Sequence, residues 1–263
     1  MAASVGGVEH STPSGDHVRI GLAGWSEAVS RFRALYPVPS DSGKVTGLQR
    51  YACTFDFAEV NASFYRRMRR ETYERWAADT PDGFAFSVKV NRGLTHFHRL
   101  RDTTELAPFI ESAMGLGPKL RALLVQLPPS LAFEGPTASA FFREIGRLFS
   151  GAVVCEPRHD SWQADDARAM LAAEGVGLVR TSIPDPEEQP GPGPVYVRLH
   201  GTPRRYYSAY THADLVQLAD WLRRASPGSR FVVFDNTATT AATLNALELT
   251  SLLEGAGSGL SAP

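Results

Sequence analysis

Eight short apolar runs punctuate the chain, at 18–23, 57–61, 84–90, 122–127, 152–156, 176–181, 195–200 and 231–235. Each is rich in Val, Leu or Phe and largely apolar on both faces, as parallel strands covered by helices should be. Between several of them the period changes. At 108–115, 137–149, 165–174 and 211–224 apolar residues recur three and four apart, which predicts amphipathic helices. Gly175 is placed to close the third of these, and Asp165 or Ser161 to open it. The Pro-rich stretch 184–194 reads as one long loop. The Ser/Gly/Ala-rich ends, 1–16 and 255–263, have no such period and are expected to be flexible tails. That leaves 17–254 as one domain.

Strand and helix in alternation imply parallel strands joined by right-handed crossovers. Eight such units in 263 residues fit a closed (β/α)8 TIM-type barrel, which commonly needs ~250 residues. An open dinucleotide-binding sheet would require Gly-x-Gly-x-x-Gly after its first strand, and Gly21-Leu-Ala-Gly24-Trp25 is not that pattern. Composition then narrows the function classes. Lys+Arg is 27 against 28 Asp+Glu, a net charge of −1, which argues against a dedicated nucleic-acid coat but leaves room for a local basic patch. Two cysteines, Cys53 and Cys155, build neither a disulfide scaffold nor a four-thiolate zinc site. No run approaches the ~18 apolar residues of a membrane span, and the first residues lack a basic start and an apolar core. A cytoplasmic protein with no membrane partner is expected.

Barrel enzymes build their sites at the C-terminal ends of the strands, and the polar residues of this chain cluster there. Run two ends in Glu59-Val60-Asn61, run three carries Lys89, run four Gln126 and run five Glu156. Run seven offers Arg198 and His200, and run eight leads into Asp235-Asn236. Period-two alternation aims Glu59 and Asn61 the same way, and likewise Arg198 and His200. A lone charge inside a barrel is costly, so these groups are expected to pair with one another or with a ligand. Strands five and seven face each other around the interior, which brings Glu156 and Arg198 within reach.

The ordered motifs Gly21-Leu-Ala-Gly24-Trp25, Glu59-Val-Asn61-Ala-Ser-Phe64-Tyr65, Phe86-Ser-Val-Lys89, Gln126-Leu-Pro128-Pro129-Ser130, Glu156-Pro-Arg158-His159-Asp-Ser161-Trp162, Val197-Arg198-Leu-His200-Gly201 and Phe234-Asp-Asn236 resemble the YecE-like family of TIM-barrel proteins, domain of unknown function seventy-two. The likeness runs from about residue 18 to residue 249. It implies the barrel fold and a site at its mouth, with no established reaction. This chain departs from the pattern at Ala23, where a Ser is usual, and at Pro157, where an aromatic is frequent. Asp235 stands where the first of two Asn is common, the Gly that often follows that pair is missing, and Arg180-Thr181-Ser182 stand near an expected Asp.

Glu59 and Glu156 are candidates for a general acid and base, with Lys89, His200 and Asp235 completing a catalytic set. Lys89 could also attack a carbonyl, because a desolvated lysine is nucleophilic. Trp25, Asn61, Tyr65, Gln126, Arg158, His159, Arg198, Tyr210 and Asn236 are the candidate ligand contacts. Glu59, Glu156, His159, His200 and Asp235 offer metal-type donors, but no His-x-x-x-His spacing links them; no metal is assigned and the cofactor stays open. The loops after runs two, three, five and seven carry ten arginines (66, 67, 69, 70, 92, 99, 101, 158, 204 and 205) against Asp102 and Asp160. Such a rim focuses positive potential, and arginine's fork suits phosphate or carboxylate. The leading expectation is an enzyme for a small anionic or sugar-like ligand. The alternatives are a nucleic-acid-binding or endonuclease-like protein using that rim, and a non-catalytic ligand-binding barrel. The oligomeric state is not legible.

Overall fold

The computed structural model describes residues 17–39, 44–191 and 193–255. The strands are β1 (Val18–Ala23), β2 (Phe57–Val60), β3 (Ala85–Lys89), β4 (Leu120–Gln126), β5 (Ala152–Glu156), β6 (Val176–Leu178), β7 (Val195–Leu199) and β8 (Arg230–Phe234). All pair in parallel, in the order β6-β5-β4-β3-β2-β1-β8-β7. The remaining seam closes just past β6. Arg180 N donates to Tyr196 O (2.9 Å) and Arg198 N donates to Arg180 O (2.7 Å). The molecule is a (β/α)8-type barrel.

Helices α1 (Ser26–Arg31) and α2 (Gly47–Ala52) separate β1 from β2, and α3 (Ala62–Tyr65) and α4 (Arg70–Ala78) separate β2 from β3. Then α5 (Leu106–Ala113), α6 (Gly135–Leu148) and α7 (Asp165–Ala173) follow β3, β4 and β5. Next, α8 (His212–Arg224) lies between β7 and β8, and α9 (Ala241–Gly255) ends the ring. The β6–β7 crossing has no helix among its described residues, as its proline content dictates. Gly175 does end α7, with φ +68°. The residue before α7 is Ala164, which supplies no side-chain cap, so Asp165 lies inside the first turn and Ser161 in the preceding 3-10 turn. Of the two expected tails, 1–16 and 256–263 lie outside the described residues, while Gly255 belongs to α9.

Alternation along the strands divides the core in two. Leu123, Val125, Cys155, Val197, Leu199 and Phe234 face the helices within one large cluster. Phe57, Ala85, Ala122, Leu124, Val154, Tyr196, Phe231 and Val233 fill the barrel interior. The aromatic part of that filling lies at the N-terminal end, where the tilted rings of Phe57 and Phe231 meet at 5.2 Å and Tyr196 joins Phe231 at 5.6 Å. Above it the interior turns ionic.

Between β1 and β2 the ladder is spliced by a side chain. Tyr51 of α2 donates its hydroxyl to Phe57 O (2.8 Å) and accepts from Leu22 N (2.8 Å). The hydroxyl fits because Gly21 has no Cβ: one built there would lie 2.0 Å from Phe57 O and 2.9 Å from the Tyr51 oxygen. Backbone cannot yield as a flexible side chain can. Gly21→Ala is therefore expected to cost roughly 3 kcal/mol or more, at or beyond the upper end of ordinary overpacking. Gly83→Ala, where nothing lies within 4 Å, should stay within about 0.5 kcal/mol. Denaturant unfolding of the two variants checks the pair, and equal stabilities would refute the splice.

Candidate active site at the barrel mouth

The last inward residue of several strands, or the residue just beyond, carries a charge, and these side chains meet. Arg198 of β7 is the hub. Its Nε donates to both oxygens of Glu59 from β2 (3.0 and 3.2 Å), and Nη2 lies 2.9 Å from Glu59 Oε1. Nη2 also reaches Asp235 Oδ2 (3.2 Å), and Nη1 reaches Glu156 Oε2 of β5 (3.5 Å). Glu59 and Glu156 are fully buried and Arg198 is 2% exposed. The expected Glu156–Arg198 contact is present. The bidentate Glu59 contact is closer still.

A second layer of contacts fixes the first. Glu156 Oε1 accepts from Gln126 Nε2 (3.0 Å) and from Arg158 Nη2. Arg158 Nη2 also lies 2.9 Å from His200 Nε2, while His200 Nδ1 lies 2.7 Å from Asp235 Oδ2. His200 is thereby held at both ring nitrogens, between the Asp235 carboxylate and the Arg158 guanidinium. Burial alone would raise the Glu156 pKa. The His200 hydrogen bond and the charges of Arg198 and Arg158 outweigh it and hold this carboxyl well below the usual range. Burial likewise opposes the Arg198 charge, but its three carboxylate neighbours drive its pKa upward.

Lys89, at the end of β3, is different. Its Nζ sits 4.3 Å from the centre of the Phe64 ring and has no hydrogen-bonding or carboxylate partner among the described residues. Burial, then the nearby Arg198 charge, lowers its ammonium to about 8, against the pull of Glu59, Glu156 and Asp235. Across the same ring lies His96, 5.0 Å away and edge-on. Burial, Lys89 and Arg92 lower its pKa as well.

The other candidates separate from this cluster. Asn61 follows the end of β2 in helical conformation (φ −91°, ψ −21°), so the period of two expected from Glu59 breaks there. Trp25 packs outward on Trp76 (5.1 Å) and Phe86 (6.2 Å), lining a 510 Å³ cavity among α1, α2 and α4. His159 caps a local turn, accepting from Ser161 N (3.1 Å) and pairing with Ser161 Oγ (2.9 Å). Tyr210 accepts from Gly201 N (3.0 Å) and Asn236 donates to Ser208 O (2.9 Å), so both brace the loop after β7. Tyr65 stands 65% exposed on the rim. Among the described residues no three His, Cys, Asp or Glu are arranged to hold a metal ion.

Two inward residues were not among the candidates. Tyr196 donates to Glu59 Oε2 (2.8 Å) and contacts Ser87 Oγ at 2.7 Å. Each lies two residues before a named one, Arg198 and Lys89, so the alternation that aimed those inward could have found them. The rim is less unbalanced than the loop count implies. Arg67, Arg70 and Arg101 pair with Glu105, Glu74 and Glu134, acids at or inside the helices. Arg66, Arg69, Arg92, Arg99, Arg204 and Arg205 have no carboxylate partner among the described residues. Several lie against aromatics, Arg92 over Tyr65 and Phe97, Arg204 over Tyr207, Arg205 over Tyr206.

A parallel barrel with an ionic cluster at its C-terminal mouth defines the TIM-barrel class, and comparison narrows it. Residues 19–263 match the model of "Protein of unknown function DUF72", and the chain belongs to that family. It is 26% identical to the UPF0759 protein YunF of Bacillus subtilis, over 92% of this chain and 97% of that one. It is 27% identical to the UPF0759 protein YecE of Escherichia coli K12, over 50% of this chain and 48% of that one. Crystal structures of DUF72 family proteins share the fold. That from Enterococcus faecalis has a TM-score of 0.69 at 20% identity, covering 94% of this chain and 97% of its own. That from Thermotoga maritima has 0.69 at 22%, covering 90% and 100%.

Two outcomes test the cluster. Arg198→Met leaves the buried Glu59 and Glu156 and the part-buried Asp235 without their hub and should destabilise the protein by about 3–5 kcal/mol in denaturant unfolding. The depressed Glu156 carboxyl has a sign of its own. The unfolded chain holds a proton there below about pH 4.3 while the folded chain does not, so its stabilisation is full above that pH and fades in acid. The melting temperature of wild type should exceed that of Glu156→Gln at pH 7, and the gap should narrow as pH falls below about 4. A gap constant from pH 7 to 3 would contradict the assignment.

Proposed function

We propose that this protein is an enzyme acting on a small anionic or sugar-like molecule at the C-terminal mouth of its barrel. The observation that carries the reading is the unequal use of the cations. Arg198 is spent on three carboxylates, whereas among the described residues Lys89 is unpaired and Arg158 uses only Nη2 for hydrogen bonds, leaving Nε and Nη1 without partners there. A purely structural salt-bridge layer would leave no such surplus at the face open to ligands. Arg158 and Lys89 take the ligand's charge in this reading, and Gln126 its hydroxyls. His200 and Asp235 form the proton-transfer pair, with His200 held between an acid and a cation, while Glu156, held ionised, anchors Arg158. Glu59, closed off by Arg198 and Tyr196, positions rather than reacts.

The rim supports a second reading. Arginines interleaved with the exposed aromatics Tyr65, Phe97, Tyr206 and Tyr207 suit backbone phosphates and stacked bases. No helix among the described residues is long and apolar enough to cross a membrane. We place the protein in the cytoplasm, a placement supported by its free thiols, Cys53 and Cys155.

A thermal-shift panel of sugar phosphates, hydroxy acids and keto acids, with oligonucleotides alongside, decides between the readings. A small ligand at a hundred times its Kd stabilises by about 2.7 kcal/mol, a rise of roughly 5–10 °C for a chain of this size. Arg158→Gln should remove most of that rise. Stabilisation by oligonucleotides alone, collapsing steeply with salt, would favour the second reading and defeat the first.

A further inference from the structure

We propose that Lys89 is a covalent catalyst that forms an imine with a small anionic aldehyde or ketone. The proposal rests on the mouth-site reading above and names its substrate class.

The chain uses arginine for 24 of its 27 cations and has three lysines, Lys44, Lys89 and Lys119. Lys119 is engaged by Ala77 O and Thr80 O at 2.6 Å each, at the opposite end of the barrel wall. Lys89 is the lysine that points into the mouth, and guanidinium could have supplied a positive charge there as it does at Arg158 and Arg198. An amine can do one thing guanidinium cannot, which is to bond to a carbonyl carbon.

The surroundings suit that task. Nζ is 4.3 Å from an aromatic face and has no hydrogen bond to any described residue, so its lone pair is not committed once the proton leaves. The backbone that carries it is fixed, because Ser63 Oγ donates to Lys89 O (2.7 Å) and to Val60 O (3.1 Å). Acids that would hold the ammonium charged, Glu59, Glu156 and Asp235, are each bound by Arg198. The lowered ammonium pKa of about 8 agrees, since it leaves a usable share of free amine at neutral pH.

The step balances without a co-reactant. The free amine attacks the carbonyl carbon, a C–N bond forms, and the oxygen takes the proton that nitrogen sheds through water in the mouth. The resulting hydroxyl is protonated and leaves as water while nitrogen closes the C=N bond. Ammonium plus carbonyl becomes protonated imine plus water. The positive charge is therefore conserved beside the three carboxylates, and the cluster keeps its balance. Arg158, with Nε and Nη1 unpartnered, is placed to receive the substrate's carboxylate or phosphate.

The test incubates the full chain with pyruvate or dihydroxyacetone phosphate, adds sodium borohydride, and maps adducts by peptide mass spectrometry. The expected result is one adduct per chain, at Lys89, with the mass of the probe less one oxygen atom. It should exceed labelling at Lys44 at least tenfold and be lost in Lys89→Arg. Calorimetry of lactate and glycerol 3-phosphate, which cannot form imines, tests the mouth separately. Binding of these two without any adduct overturns the imine and leaves the site reading in place. No binding and no adduct overturns both. Equal labelling of Lys44 and Lys89 also overturns the imine, and this comparison on wild type holds even if Lys89→Arg fails to fold.

Discussion

One guanidinium shared by three carboxylates organises this molecule. Arg198 is almost wholly buried, and so are Glu59 and Glu156. Removing such groups from water costs several kcal/mol per ion, which only close and multiple contacts can offset. Arg198 supplies them through a bidentate grip on Glu59 and single contacts to Glu156 and Asp235. The contacts tie β2, β5, β7 and the end of β8 together across the barrel. They also leave a surplus of negative charge, since one cation cannot neutralise three acids. That surplus sets the roles of the next groups outward: Arg158 answers Glu156, and Lys89 feels all three acids without touching any.

The rest of the interior supports that hub. Below it, Phe57, Phe231 and Tyr196 fill the barrel, and the Tyr196 hydroxyl closes the gap between the apolar filling and the ions by donating to Glu59. Around it, the loop after β7 is braced from behind. Asn245 of α9 accepts from Tyr210 N and donates to Tyr210 O, both at 2.9 Å, and Asn236 binds the same loop at Ser208. His200, at the start of that loop, is thus presented by backbone whose hydrogen bonds are largely satisfied, as a preorganised site requires.

The fold was legible because β-strand and helix periods differ and eight apolar runs carried the signal. Strand ends shifted by one to three residues where polar residues continued the backbone, as at Asn61, His200 and Arg180-Thr181. The ionic residues of the site were legible too, because charge at the end of an apolar strand is rare and period two fixes its direction. Hidden were the choices made in three dimensions. Nothing in the sequence says that Arg198 prefers Glu59, that Trp25 turns outward onto Trp76, or that Asn236 and Tyr210 spend their polar atoms on a loop. The arginine rim is less unbalanced than the loop count implies for a related reason. Counting acids only within loops omitted Glu74, Glu105 and Glu134, which approach from neighbouring turns once the helices dock.

The acids Glu59, Glu156 and Asp235 face an equal number of cations, Arg198, Arg158 and Lys89. An arriving anion therefore tips the mouth negative, and the field it adds favours positive charge on whichever nearby group can still change. Arg198 and Arg158 cannot, being guanidinium. Glu156 is already ionised and held so by its neighbours, which removes it as a source of protons near neutral pH. The adjustable groups are Lys89 and the imidazole of His96, whose charged forms burial disfavours alike. A ligand that draws a proton toward His96 leaves Lys89 free to react, whereas one that holds Lys89 charged leaves His96 as a base. The same set of side chains can therefore bind an anion in either state, and the chemistry that follows depends on which nitrogen keeps the proton.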